Sequence, residues 1–353
     1  MQISVTRTTA PKAKTPDNEL GFGRVFSDHM FLMDWNIDKG WYDPRIVPFG
    51  DFSLSPSCAV FHYGAEVFEG LKAYRTVTGE IRLFRPDKNF ERLVNSAERV
   101  SLPAPDPADA VEALRALVDI DRDWVPHSEG TSLYVRPFII ATDVNLGVHG
   151  TKNALFAIIL SPSGSYYKEG INPVKIMIET EDVRTVRGGT GYAKCGGNYA
   201  ASTRAGDKAS KMGFSQVLWL DGVERKYIEE VGSMNVMFKL GDTVVTPKLT
   251  GSVLPGITRM SIVELLKDRG VKVEERLFSV DELVAAAASG ELKEAWGTGT
   301  AAVVSPIGEL AYDGKEYIVN GGNIGELTQS LYDELTAIQW GKVEDKKGWT
   351  VKV

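Results

Sequence analysis

The sequence predicts an α/β protein of the α+β type in two domains, and three observations predict it. Short strand-like runs alternate with helix-period segments through the first half. A stretch rich in Gly, Pro and Ser falls near the middle, and the second half is richer in strand. The 353 residues are 43% hydrophobic and 25% charged, ordinary globular values with length for two cores more readily than one.

Residues 1–19 are polar with Pro and Lys and are expected to form a loose arm. RVFSDHMFLMDW, GEIRLF and TSLYVRPFIIA then read as strands bounded by Gly, Pro and Asp. Between them, PDKNFERLVNSAERV opens on Pro86 and Asp87 and carries Phe90, Leu93, Val94 and Ala97 at helical spacing. DAVEALRALVDI repeats the pattern with Val111, Leu114 and Val118. NALFAIIL is a further strand, and SPSGSYYKEGINP after it reads as a linker over 163–173, between domains at 1–162 and 174–353. The second domain begins with the alternating strand VKIMIET. It continues through a short helix, FSQVLWLDG, SMNVMFKLGDTVVTP, the helix TRMSIVELLKDRG and further strands, with no internal repeat.

The net charge of −7 comes from interspersed acids and bases, so no basic patch points to nucleic acid or anionic lipid. Cys58 and Cys195 stand alone, and His29, His62, His127 and His149 lie far apart. That excludes a disulfide scaffold and predicts no metal site. The N-terminal stretch lacks the apolar core of a signal peptide, and no apolar run is long enough to span a bilayer. The expectation is a cytoplasmic protein with no membrane partner.

Within TGYAKCGGNYAAS at 190–202, Lys194 lies among glycines and small residues with no acidic neighbour. It is either a solvated lysine or an amine nucleophile beside a ligand that the glycines admit. No dinucleotide fingerprint or phosphate loop occurs, since GTGTAA lacks the third glycine and neither Gly-Lys pair precedes Ser or Thr. Other anion sites are present. In LPGITRMSIVELLKDRG a helix starts near Thr258 and stops at Gly270, so the backbone donors of Ile257 and Thr258 can hold an anion. An ordinary glycine-punctuated helix start fits that segment equally well. WGTGTAA at 296–302 is a second turn of converging donors, or simply a connection.

Arg92 lies off the apolar stripe of its helix, which on pattern alone favours a solvated surface arginine. Tyr134 and Arg136 alternate along a strand and share a face, where packing alone is the common outcome. In KYIEEVGSMN an extended chain turns one of Glu229 and Glu230 to solvent and the other inward, and an inward glutamate needs a partner such as a protonated ring nitrogen. An amine, two anion sites, an arginine, the phenol of Tyr199 and an inward carboxylate are together what pyridoxal phosphate requires of a protein.

FHYGAEVFEGLKAY, LYVRP, AKCGGNYA, QVLWLDG, EEVGSMN, LPGITR and GTGTAAVVSP, in this order, resemble the branched-chain amino acid aminotransferases, which are fold-type IV pyridoxal phosphate enzymes. The likeness runs from about Leu20 to about Gly341. It implies a small α/β domain and a larger domain with a pseudo-barrel sheet. It also implies a homodimer in which a loop of the second subunit completes the active site.

The implied activity is ping-pong transamination between L-leucine, L-isoleucine or L-valine and 2-oxoglutarate, with amino acids and 2-oxo acids as the small-molecule partners. By the same resemblance Lys194 is the Schiff-base lysine and proton shuttle of pyridoxal 5'-phosphate. Arg92, Ile257, Thr258 and Thr298 cradle its phosphate, Tyr199 meets the ring oxygen and Glu230 the ring nitrogen. Phe22, Tyr63, Phe68, Tyr134 and Tyr199 line an apolar pocket with Arg136 at its edge, and Ser233, Thr300 and Ala301 offer groups to the α-carboxylate. Where mammalian members carry a cysteine pair, this chain has Ala302 and Ser305.

Overall fold

A computed structural model describes residues 1–164 and 171–353; residues 165–170, the centre of the expected linker, lie outside the described residues. The chain forms two compact units. One comprises Met1–Lys168, Ala193–Gly196 and Ala337–Val353, and the other Glu169–Tyr192 and Gly197–Thr336. The division is therefore not a single cut. Four residues around Lys194 and the C-terminal segment belong with the first unit.

The first unit holds β1 (Ser4–Val5), β2 (His29–Asn36), β3 (Gly40–Pro48), α1 (Ala59–Tyr63), β4 (Glu66–Phe68), β5 (Leu71–Arg75), β6 (Ile81–Phe84), α2 (Pro86–Arg99), α3 (Pro107–Ile120), β7 (Ser132–Ala141) and β8 (Asn153–Ser163). Its sheet runs β1-β3-β2-β8-β7-β5-β6 and ends on Thr350–Lys352, with β4 pairing the far half of β7. Alternation decides the faces. In β4 and β7, Val67, Val135 and Ile139 turn into a core with Phe90, Leu93 and Ala97 of α2 and Leu114, Leu117 and Val118 of α3. Pro86 opens α2 where its missing N–H costs nothing, and Asp106 caps α3 by accepting from Ala108 and Asp109.

Residues 1–19 are tied to this unit. β1 pairs with β3, the Met1 ammonium meets Glu112, and Asp17 accepts from the backbone of His127 and Ser128.

The second unit holds β9 (Val174–Ile178), α4 (Gly196–Lys211), β10 (Gln216–Leu220), β11 (Ile228–Val231), β12 (Asn235–Leu240), β13 (Thr243–Pro247), α5 (Ile257–Asp268), β14 (Lys272–Arg276), α6 (Val280–Ser289), β15 (Leu292–Gly299), β16 (Val303–Tyr312), β17 (Lys315–Ile318) and most of α7 (Glu326–Gln339). Its sheet is a half-barrel ordered β11-β10-β9-β16-β15-β12-β13-β14, with β17 on β16. The helix after Lys194 is longer than expected, at 16 residues. Its buried positions are only Asn198, Ala205 and Ala209, so the sequence carries almost no apolar stripe to announce it. α6 and α7 replace part of the expected run of strands, and α6 is capped by Ser279 accepting from Glu282 N–H.

Candidate active site

In the first unit the β4–β7 register sets Glu66 opposite Ile140 and Phe68 opposite Phe138. Facing partners share a side, so Glu66, Phe68, Tyr134 and Arg136 lie on one face of the sheet. The Lys194 segment runs along β4. Phe68 N–H donates to Lys194 O at 2.9 Å, and Lys194 N–H donates to Ser96 Oγ at 2.9 Å. These bonds hold the lysine backbone while its Nζ lies 4.7 Å from the Phe68 ring centroid.

The Arg136 guanidinium carbon is also 4.7 Å from that centroid, and Arg136 Nη2 donates to Tyr134 Oη at 3.2 Å. Phe22 meets Tyr134 edge-on, with centroids 4.8 Å apart. Lys72, facing Tyr134 across β5, is pushed down to about 8 by burial. Tyr63 is exposed at the end of α1, its hydroxyl on Leu146 O.

Arg92 overturns the surface reading. It is 6% exposed, with Nε 2.7 Å from Glu69 Oε1 and Nη2 2.8 Å from Glu69 Oε2. Asn89 adds a bond to the same carboxylate at 2.8 Å. The arginine fell off the apolar stripe of α2 because it serves a buried ion pair, which the helix period does not encode.

In the second unit both glutamates of β11 are buried, so the expectation of one solvent-facing carboxylate is corrected. Glu230 Oε1 accepts Leu254 N–H at 2.7 Å and Oε2 pairs with Arg184 Nε at 3.0 Å. Glu229 takes the Ser252 hydroxyl. Burial pushes the Glu229 carboxyl up, and the neighbouring charges of Glu230 and Asp221 push the same way, against Ser252 and Arg184. Arg184 Nη1 also donates to Ser252 O at 3.0 Å. The 252–254 segment thereby locks both carboxylates.

That segment leads into α5, which starts at Ile257, one residue before the expected Thr258. Its N-cap Gly256 offers no side-chain cap, and Asn235 Nδ2 donates to Leu254 O at 2.9 Å to brace the turn. A Cβ at Gly256 would fall 2.0 Å from Asn235 Oδ1, so the approach requires glycine. Asn235 faces Thr298 across β12 and β15. Thr298 Oγ1 is buried with no hydrogen-bond partner. An uncapped first turn beside an orphaned hydroxyl has the donor chemistry to hold an anion. Thr300 and Ala301 follow in the turn from β15 to β16, and Met234, next to the exposed Ser233, lies against Gly297 and Gly299. Tyr199 is half-buried on α4.

The amino-transferase class IV family model matches residues 66–310. The chain belongs to the class IV aminotransferases. Among its relatives are the branched-chain-amino-acid aminotransferase 2 of Bacillus subtilis (strain 168), 55% identical over 351 residues that cover 99% of this chain and 97% of the relative, and the branched-chain-amino-acid aminotransferase of Mycolicibacterium smegmatis, 46% identical over 362 aligned positions that cover 100% and 98%. A solved branched-chain amino acid aminotransferase from Escherichia coli superposes with a TM-score of 0.73 at 26% identity, covering 92% of this chain and 98% of that one. A solved branched-chain aminotransferase from Thermoproteus uzoniensis with norvaline also gives 0.73, at 26% identity, covering 91% and 99%.

Like these branched-chain members of the class IV aminotransferases, the chain is an aminotransferase. Glu69, Arg184 and Glu66 are among the polar residues of these clusters that escaped the sequence reading. An inward glutamate did demand a partner, but Arg184 lies in the irregular segment EDVRTVRGG, where no period marks it. No helix among the described residues is long and apolar enough to cross a membrane.

Proposed function

We propose that this aminotransferase uses pyridoxal 5'-phosphate to move the amino group of L-leucine, L-isoleucine or L-valine to 2-oxoglutarate in two alternating half-reactions. When bound, the cofactor supplies the carbonyl that exchanges the amino group and the ring that accepts electrons. The observation that carries the reading is the sheet face of Phe68, Tyr134 and Arg136, with the Lys194 amine held over the Phe68 ring.

Lys194 would carry the cofactor covalently and then, through Nζ, take the proton from the substrate Cα and return it at the other end of the exchange. The Glu230 carboxylate, oriented by Arg184 and Leu254 N–H, would accept the proton-bearing ring nitrogen. Tyr199 would donate to the ring oxygen. The first turn of α5 at Ile257 and Thr258, the Thr298 hydroxyl and Arg92 would hold the phosphate.

The α-carboxylate would meet Ser233, Thr300 and Ala301, the same way for every substrate. Phe22, Phe68 and Tyr134 offer an aromatic wall to aliphatic side chains. A single methylene there is worth about 1–3 kcal/mol, so discrimination among leucine, isoleucine and valine is modest. The distal carboxylate of glutamate cannot be buried unpaired. Arg136, with Tyr63, is its counterpart, and the buried Arg136 Nε lacks a partner. Exposed Phe61, Val144 and Leu146 support a homodimer that covers them, and the enzyme would work in the cytoplasm.

An amino-donor panel with 2-oxoglutarate tests the function. Leucine, isoleucine and valine should turn over efficiently, alanine slowly, and aspartate and D-amino acids almost not at all. Arg136→Met should raise KM for 2-oxoglutarate about tenfold or more, the worth of a lost charged hydrogen bond, and KM for leucine far less. Preferred use of D-alanine would sink the reading.

A further inference from the structure

Glu66 is a charged residue that none of these roles uses. It starts β4 and shares a sheet face with Phe68, Tyr134 and Arg136. Its carboxylate accepts the backbone N–H of Gly196, two residues beyond Lys194. The seat is tight. A Cβ at Gly196 would fall 2.2 Å from Glu66 Oε1 and 3.2 Å from its Cδ, so only glycine lets the carboxylate rest there. Around the Phe68 ring the same face carries the Arg136 guanidinium and the Lys194 amine.

Burial pushes the Glu66 carboxyl up; the Gly196 bond and the charges of Arg136 and Lys194 pull the other way. The cations are thus among the forces that keep a negative charge at this position. Reciprocally, that charge is felt by anything anionic that approaches Arg136.

We propose that Glu66 determines the balance between aliphatic and acidic side chains, as the resident counter-charge of Arg136 with which an incoming distal carboxylate must compete. The inference rests on the reading that Arg136 receives the distal carboxylate of glutamate and 2-oxoglutarate. With leucine bound, Glu66 balances Arg136 and a neutral side chain lies against Phe68 without stranding a cation. With glutamate bound, two carboxylates lie in the field of one guanidinium, and their repulsion weakens the hold that Arg136 alone would have. One site can then accept both partners of the exchange without being captured by the dicarboxylic one.

Glu66→Gln keeps an acceptor for Gly196 N–H and almost the same shape, and removes only the charge. In the cofactor-loaded enzyme it should lower KM for 2-oxoglutarate by about threefold to tenfold and change KM for 4-methyl-2-oxopentanoate less than about twofold. The dissociation constants of the unreactive analogues glutarate and 4-methylpentanoate, measured by calorimetry, should split the same way. Glu66→Asp, which retains the charge, should keep the wild-type ratio of the two constants. Glu66→Ala should move it in the direction of Glu66→Gln, so either neutral variant that folds decides the matter. Equal changes for both ligands, a selective rise for 2-oxoglutarate, or an Asp variant that behaves like Gln would overturn the role of the charge. Wild-type enzyme unable to transaminate leucine with 2-oxoglutarate would overturn the functional reading as well. A wild type that does so, with a ratio unmoved in Glu66→Gln, overturns this inference alone.

Discussion

The sheet face of the first unit and the glutamate cluster of the second are built in opposite ways. In the second unit the groups are buried and fixed by the chain itself. Glu230 is held by a backbone N–H and by Arg184, whose guanidinium is bonded to a main-chain oxygen, and Asn235 braces the turn into α5. In the first unit the sheet face carries half-buried side chains, Phe68, Arg136 and Lys194, whose mutual contacts are ring faces and one hydroxyl bond. Backbone donors cannot adjust to a new ligand, whereas long side chains can re-orient. The difference suits the proposed function, in which one group stays in place while two unlike side chains are accepted in turn.

The hardest test of that division is Lys194, because the first unit owns it although the chain before Ala193 and after Gly196 belongs to the second. Lys194→Ala should reduce turnover at least about 10⁴-fold, since it would remove both the proposed nucleophile and the proposed proton carrier. Borohydride reduction and peptide mapping should place the cofactor on this lysine in the wild type. Attachment at another lysine would move the reacting amine off the Phe68 face.

A smaller effect is expected from the rigid cluster. Glu230→Gln should leave the cofactor bound and slow the half-reaction about 100-fold, the scale of losing one preorganised electrostatic partner. Glu229→Gln should spare turnover, because that carboxylate engages Ser252. It should also make stability less dependent on pH. A carboxyl raised by burial favours the fold below its unfolded range, and that contribution is lost as pH rises through its folded range. Rapid-mixing spectra of the half-reaction and unfolding between pH 5 and 8 separate the two. If Glu229→Gln proved the slower enzyme, the two faces of β11 would have been assigned the wrong way round.

How much of this was readable beforehand follows the same contrast. α2 announced itself because Phe90, Leu93 and Ala97 recur at helical spacing and Pro86 marks its start. The turn into α5 was readable because Pro-Gly before an apolar stripe is a local signal. Arg92, Arg184 and Glu66 were not readable as the partners they are. Each is defined by a residue distant in sequence, Glu69, Glu230 and Gly196, and no period connects such pairs. The buried Glu229 escaped for a related reason. Alternation assigns faces but does not say that both faces of a strand are covered.

The smallest effect, and the one that best isolates the second unit's cluster, concerns Thr298. Its hydroxyl is buried with no hydrogen-bond partner, on a strand facing Asn235, which braces the uncapped turn into α5. A buried hydroxyl without a partner costs about 1–3 kcal/mol, whereas an isosteric methyl in its place carries no such cost. Thr298→Val should therefore leave the cofactor-free protein as stable as the wild type, or more stable by about 1 kcal/mol. The sign reverses once an anion is present. A hydroxyl bonded to a phosphate oxygen is a hydrogen bond to a charged group, and its loss should weaken cofactor binding about tenfold. Unfolding of the cofactor-free proteins and a fluorescence titration with pyridoxal 5'-phosphate read the two effects separately. Gln in place of Glu230 should shift the cofactor titration little, since in the proposed function that carboxylate meets the ring and not the phosphate. A Thr298→Val protein that is less stable without cofactor yet binds it as tightly would mean that the hydroxyl serves the fold. The second unit's cluster would then be a packing device, and the contrast between a fixed and an adjustable set of groups would lose its fixed half.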